Sequence, residues 1–529
     1  MTQRETILIT DAVDEQCIGI FTEHGFTVQN RPGASPAETA ELIGGADALI
    51  VRSQTKVTAS LLERAARLKI IGRAGAGVDN IDVAAATRKG IIVMNTPGGN
   101  TIATAEHTLA MILALARNIP PAHQSLQEGR WARSQFTGTE LHGKTLGVVG
   151  LGRVGMEVAK RCQGFGMTVI AFDPVQLPER VAKLQIRLVA FDELLRLSDF
   201  ITIHAPLMDE TRGLISREAL ARCRKGVRII NCARGGIVDE QALLEALTSG
   251  RVAGAALDVF EQEPPGNTAL IRHPGVVVTP HLGASTVEAQ EQVAIQIAKQ
   301  IVDFFDGRSV TGSVNADPVR IAMRKELQPY IRLAESLGRC IGQMKQGALT
   351  GVRIGVRNGD LTDALPAIGA AVLKGLFDPV MSEPLNFLNA PLVARERGMA
   401  VEMYQAGGDE QHPHHIETEY RTAEEQHQLG GTVFGPQDIR ITSVDRFHLE
   451  IKPEGYLLMY SNRDEPGMLA AVSRILADAA VNIAGLSLGR YGPGTTALTI
   501  ISLDQPPPET ALAGIAAIPG VSHLRLIHL

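Results

Sequence analysis

The sequence predicts an α/β protein of four units, the first two built on parallel sheets, and three observations carry that reading. Short apolar segments alternate with helical ones from the N-terminus to about residue 280, the rhythm of βα units on a parallel sheet. A glycine-rich turn, Gly150-Leu151-Gly152-Arg153-Val154-Gly155, separates an apolar run from an amphipathic one. Past Asp317-Pro318 the texture shifts to mixed helix-like and strand-like stretches. A chain of 529 residues is long enough for several domains.

Taken in order, residues 1–99 hold candidate strands at 6–10, 48–51, 69–72 and 91–95. Residues 100–279 add candidates at 145–149, 168–172, 200–203, 227–231, 253–257 and 276–279, with a helix at 156–165. The stretch 285–306 reads as one long helix, closed by Gly307. A long helix after two α/β units suggests a chain that returns to pack on the first, so that unit is expected to be discontinuous, 1–99 and 280–316. A third unit, 317–453, is expected to be α+β, with helical stretches at 323–346 and 363–377, strands at 351–356 and 399–405, and a polar loop or hairpin surface at 407–430. The last unit, 454–529, reads strand 457–460, helix 468–479, strand 481–489, turn 492–494, strand 495–503, short helix and terminal strand.

Bulk properties exclude several function classes. Hydrophobic content of 45% and charged content of 20% are ordinary for a globular protein. A net charge of -6 without a long block of one sign gives no electrostatic case for nucleic acid or an anionic membrane. The N-terminal residues lack the basic flank and apolar core of a signal peptide. The most apolar helical stretch, 101–119, contains Glu106, His107 and Arg117. Five scattered cysteines, Cys17, Cys162, Cys223, Cys232 and Cys340, suit reduced thiols in a cytoplasm better than a disulfide framework, and no spacing suggests zinc.

The glycine turn points to a dinucleotide. Gly150 permits the tight turn, Gly152 lets a pyrophosphate approach the backbone, and Gly155 lets helix and strand pack closely. The helix start offers free N–H groups and a positive dipole end. Asp173, about twenty residues on at the tip of the next strand, can accept bonds from the ribose hydroxyls. A carboxylate there repels a 2′-phosphate, and 174–177 supply no cation, which favours NAD over NADP.

Three polar residues then follow strand ends in apolar or glycine-rich settings: Arg234, Glu263 and His281. In open α/β sheets ligands bind at the carboxyl ends of strands. Oxidising a 2-hydroxy acid calls for a base near working pH, which suits histidine, and a glutamate would orient the ring. An arginine grips a carboxylate with forked, charge-assisted contacts. The lone tryptophan, Trp131, has core or interface packing as its default role, and His412, His414 and His415 read as a solvated loop rather than a metal cluster.

Gly150–Gly155, 231–236, 258–265 and 280–286 together resemble the D-isomer-specific 2-hydroxyacid dehydrogenases. The segments 51–53, 72–75, 95–97 and 131–133 are similar to the branch of that family acting on a phosphorylated three-carbon acid. Segments 383–397 and 431–435 resemble the intervening regulatory domain of its long form, and 462–467 with 481–484 resemble an ACT domain. The resemblance implies two Rossmann-like parallel-sheet domains followed by an α+β intervening domain and a βαββαβ ACT domain. It implies NAD-dependent oxidation of 3-phospho-D-glycerate to 3-phosphohydroxypyruvate, the first step of L-serine synthesis, in a homo-oligomer. By the same resemblance His281 is the acid/base, Glu263 its partner and Arg234 the substrate anchor. Cofactor contacts are implied at Gly150, Gly152, Arg153, Val154, Gly155 and Asp173, at Cys232, Ala233, Arg234 and Asp258, and at His281, Gly283 and Ala284. Ala76 and Ala205 stand where some relatives carry other side chains, so only backbone contacts are expected there. Arg52 and Arg73 would face the substrate phosphate near Gly75 and Asn100, with Arg133 adding charge from a neighbouring subunit. An L-serine effector would fall between two ACT copies at Asp464 and Asn482. Two rival readings stay open: a hydroxypyruvate or glyoxylate reductase, against which the long tail argues, and a non-enzymatic NAD-sensing corepressor on the same scaffold.

Overall fold

The computed structural model describes residues 4–176, 181, 184–266, 268–357, 359–379, 381, 385–407, 414–490, 492 and 495–529. Strands β1 (Thr6–Ile9), β2 (Thr27–Asn30), β3 (Ala48–Val51), β4 (Ile70–Arg73) and β5 (Ile92–Asn95) form a parallel sheet in the order β2-β1-β3-β4-β5. Alternate residues of its central strands enter two cores. Ile7, Ile50 and Ile70 meet Ile297 and Ile301 of the helix Val287–Phe305, while Leu8, Leu49 and Ile71 meet Leu62 and Ala86. The late helix therefore does return to the first sheet. It starts at Val287 because the Thr286 hydroxyl accepts the Ala289 N–H and caps it.

The second sheet holds β6 (Thr145–Val149), β7 (Thr168–Phe172), β8 (Arg187–Leu188), β9 (Phe200–Ile203), β10 (Val227–Asn231), β11 (Val252–Leu257) and β12 (Val276–Val278). Its order, β12-β11-β10-β9-β6-β7-β8, is wholly parallel and reverses direction between β6 and β9. That switch opens a crevice at the carboxyl ends of the strands. The helix after the glycine turn spans Arg153–Gly164, three residues earlier than expected, because Gly152 is its cap and Gly155 lies inside its first turn.

The third sheet is mixed: β13 (Leu349–Val356), β14 (Ala400–Gln405), β15 (His415–Thr422), β16 (Gln426–Gly435), β17 (Asp438–Val444) and β18 (Phe447–Ile451), in the order β14-β13-β15-β16-β17-β18. Two expectations change here. The helix expected over 323–346 spans only Gln328–Met344, behind a short 3-10 turn and a separate helix Asp317–Ala322, because Pro329 fits only a helix's first turn. The stretch 407–430 is not simply surface, because β15 and β16 lie inside the sheet. The polar residues of β15 are paired, as where the buried Glu417 accepts the Tyr404 hydroxyl at 2.7 Å. His415 is buried against Thr432 and so does not belong to a solvated loop, whereas His414 is exposed in a turn and bonds the Tyr330 hydroxyl. His412 lies outside the described residues, as do Pro493 and Gly494 of the expected turn.

The fourth sheet, β20-β21-β19-β22, is antiparallel: β19 (Tyr456–Arg463), β20 (Ile483–Arg490), β21 (Thr496–Leu503) and β22 (Val521–His528). With the helices Met468–Asp478 and Glu509–Ala516 it makes the expected βαββαβ unit. No helix among the described residues is long and apolar enough to cross a membrane.

The helices Gln328–Met344 and Leu365–Phe377 approach through glycines on each side. A Cβ on Gly338 would lie 2.0 Å from the Val372 carbonyl oxygen, and one on Gly375 would lie 2.0 Å from that of Glu335. Gly338→Leu should therefore lower stability by about 1–3 kcal/mol, as overpacking generally does. Denaturant unfolding would show an earlier midpoint with NADH binding retained; an unchanged midpoint would contradict this contact.

Candidate active site

At the glycine turn, Gly150 has φ +88, and a Cβ there would lie 2.7 Å from the His204 carbonyl oxygen. A Cβ on Gly155 would lie 2.2 Å from the Gly150 oxygen, so the helix packs as closely as only glycine allows. The Cβ direction of Gly152, by contrast, is open, and the helix start carries no side-chain cap. Open backbone at an uncapped helix start, with Arg153 and Val154 in its first turn, is the chemistry a pyrophosphate needs. Asp173 accepts the Leu151 N–H at 2.7 Å and the Val175 N–H at 2.8 Å, tying the turn to the next loop. Pro174, Val175 and Gln176 put no cation beside it, and Leu177 lies outside the described residues. These residues fit NAD.

The expected cofactor positions that follow strands of this sheet line the same edge. Ala205 follows β9, Cys232 and Ala233 follow β10, Asp258 follows β11, and His281, Gly283 and Ala284 follow β12. Burial pushes the Cys232 thiol up to about 12, so it is no nucleophile at neutral pH. Asp258 is wholly buried, and its oxygens are engaged by donors of this chain.

His281 sits at φ +54, a conformation uncommon for a non-glycine residue. Its Nδ1 lies 2.8 Å from Glu263 Oε2. Burial pushes the Glu263 carboxyl up, but bonds from His281 and the Phe260 N–H outweigh it and leave it below the ordinary carboxylate value.

Arg234 reaches from the second sheet to the first. Its Nε donates to Asp79 Oδ2 at 2.8 Å, and the Asn231 amide braces its loop by donating to the Arg234 carbonyl and accepting from the Ala233 N–H. Arg73, at the end of β4, lies against Gly75, and its Nε is buried with no hydrogen-bond partner. Burial first, then the charges of Arg234 and Arg52, lower its guanidinium to about 10, with Asp79 and Asp11 opposing. Burial also lowers Arg52, against the pull of Asp11. The structure thus draws Arg52, Arg73 and Arg234 into one electrostatic group.

The loop presenting Arg52 is pinned on both polarities. The buried Asp11 carboxylate accepts the N–H groups of Arg52, Gln54 and Thr55, and the Asn80 amide donates to the carbonyls of Arg52 and Thr55. Sequence reasoning missed Asp11, Asp79 and Asn80; the signal for Asp11 was an acid directly after an apolar strand, as at Asp173 and Asp258. The Ala76 carbonyl accepts from Asn95, and Asn100 stands at the start of the helix Thr101–Ala116 without capping it.

Other expected residues are not gathered there. Arg133 is exposed on the short turn Arg133–Phe136. Trp131 is 82% exposed and so is no core residue of this chain. In the fourth unit Asp464 pairs with Arg490 at 3.1 Å and Asn482 donates to Asp504 at 2.6 Å, each engaged by a different partner.

Comparison with known proteins matches three segments. Residues 109–283 match the D-isomer specific 2-hydroxyacid dehydrogenase NAD binding domain, 326–445 the D-3-phosphoglycerate dehydrogenase intervening domain, and 456–520 the ACT domain. The chain is 40% identical to a D-3-phosphoglycerate dehydrogenase of Archaeoglobus fulgidus over 99% of its own length and 100% of that protein. It is 39% identical to that of Bacillus subtilis over 99% of both. A solved glyoxylate reductase from Paecilomyes thermophila superposes with TM-score 0.55 at 30% identity, covering 59% of this chain and 99% of the reductase. The reductase thus matches little more than half of this chain, whereas the full-length relatives also span the tail. The chain is an NAD-binding oxidoreductase and belongs to the D-3-phosphoglycerate dehydrogenase family.

Proposed function

We propose that this chain oxidises 3-phospho-D-glycerate to 3-phosphohydroxypyruvate with NAD, the first step of L-serine biosynthesis. The observation that carries the substrate is the group Arg52, Arg73 and Arg234, within which the buried Arg73 Nε has no partner. Guanidinium forks recognise phosphate and carboxylate by paired, charge-assisted bonds. A phosphorylated hydroxy acid supplies both anions. Arg234 takes the carboxylate, and Arg52 and Arg73 take the phosphate, near the Gly75 backbone and Asn100.

His281 acts on the substrate hydroxyl. With Nδ1–H donated to Glu263, its Nε2 is left with a lone pair and accepts the hydroxyl proton. The Glu263 carboxylate then stabilises the imidazolium. Bound NAD supplies the acceptor for the hydride that leaves the same carbon. Asp173 selects NAD by repelling a 2′-phosphate.

The exposed Trp131 supports a homo-oligomer, in which Arg133 reaches the site of a second copy. Five cysteines, all free and buried, support a reducing cytoplasm. The ACT unit supports binding of an amino-acid effector, L-serine, between two copies through Asp464 and Asn482.

Purified protein should form NADH from NAD and 3-phospho-D-glycerate. His281→Ala should reduce kcat by about 10²–10⁴, the usual worth of proton-transfer catalysis, with NADH affinity nearly normal. Near-normal turnover in that variant would remove His281 from the chemistry, and a wild type inert toward this substrate would refute the reading.

Calorimetric titration with L-serine should show binding to the wild type and none to Asp464→Ala or Asn482→Ala. No heat with the wild type would discard the effector and leave the catalytic reading untouched.

A further inference from the structure

Asp258 and His107 form a polar cluster beneath the proposed catalytic loop, and the proton transfer to His281 gives His107 no part. Asp258 Oδ1 accepts the Thr279 hydroxyl at 2.5 Å and the Leu282 N–H at 2.7 Å, and Oδ2 accepts the Gly283 N–H at 2.8 Å. The His281 N–H donates to the Asp258 carbonyl at 2.9 Å. His107 Nε2 lies 3.1 Å from the Thr279 hydroxyl and 3.3 Å from Asp258 Oδ1. The Thr279 hydroxyl gives its hydrogen to Asp258, so the proton on the His107 side belongs to Nε2. The Asp258 side chain is 0% exposed and that of His107 19%. Burial pushes the Asp258 carboxyl up, and the His107, Thr279 and Leu282 donors more than reverse it, leaving the group ionised.

A buried carboxylate is expensive unless every oxygen is matched by donors. Backbone donors from 282 and 283 and the Thr279 hydroxyl meet that need from the loop itself. His107 adds the one donor from a separate element, the helix Thr101–Ala116. That helix follows β5 and carries the chain from the first sheet to the second, while 279–286 carries it back. The cluster thus fastens the two crossings to each other, with His281 on the second crossing between two of the pinned residues. His281 also holds a left-handed backbone at φ +54, which persists only where surrounding contacts determine it.

We propose that His107 is a positioning residue of this dehydrogenase: its Nε2–H, through Asp258 and Thr279, fixes the 279–283 loop and so the direction of the His281 ring. The proposal rests on the reading of His281 as the acid/base.

Three variants test it. His107→Gln places an amide N–H near the position of Nε2, whereas His107→Asn is too short and His107→Ala has no donor. A misplacement of about 1 Å costs on the order of 100-fold in rate. His107→Ala and His107→Asn should therefore lose about 10- to 100-fold in kcat, with substrate KM and NADH dissociation constant within about threefold of wild type. His107→Gln should recover most of that loss. Rates are taken relative to wild type on whichever 2-hydroxy acid the wild type oxidises, so wild-type activity judges the substrate reading and the ratios judge this one. Turnover of His107→Ala near wild type would overturn the proposal. So would His107→Gln no better than His107→Asn, or a parallel loss of kcat, NADH affinity and thermal midpoint in all three, which is the mark of simple packing.

Discussion

Like charge held together without enough counter-charge is the constraint on which the site depends. Arg73 is half-buried at the end of a parallel strand, next to two further guanidinium groups, with its buried Nε donor unmatched. An unsatisfied buried donor costs about 1–3 kcal/mol, and a charged one costs more. Asp79 is tied to Arg234, and Asp11 spends its oxygens on backbone N–H groups. The pocket therefore gains most from a ligand with more than one negative charge. A phosphate of about -1.5 to -2 charge with a carboxylate three carbons away meets that need.

The rest of the site is built by one repeated device. An aspartate within two residues of a strand's end turns back to accept the N–H groups of a loop of the site. Asp11 after β1 does this for Arg52, Asp173 after β7 for the glycine turn, and Asp258 after β11 for the His281 loop. Each carboxylate satisfies donors that no ladder can reach, and each makes a loop as definite as a strand end. Precision at the site thus derives from anions on rigid elements, two of them, Asp11 and Asp258, buried, the arrangement that pre-organised sites require.

Legibility in the sequence followed burial. Strands β6, β7, β9 and β10 match their expected spans residue for residue, because central parallel strands are unbroken apolar runs. β2, an edge strand with no buried residue, and the two-residue β8 gave no such run. β15 was hidden for the opposite reason: it buries polar side chains in pairs, and a paired Glu417 looks like surface until its partners are known. Arg234, Glu263 and His281 stood out because they interrupt apolar or glycine-rich settings at strand ends. Asp11 and His107 did not, because their partners lie 41 and 172 residues away.

Substrate selectivity tests the charge argument most directly. The quantity is kcat/KM of the wild type for 3-phospho-D-glycerate against D-glycerate, measured with NAD at fixed ionic strength, and again in Arg52→Gln. Each charge-assisted contact is worth about 1.5–3 kcal/mol, so the wild-type ratio should be on the order of 10³, and it should fall at least tenfold in the variant. A wild-type ratio near one, or a ratio that Arg52→Gln leaves unchanged, would contradict the account.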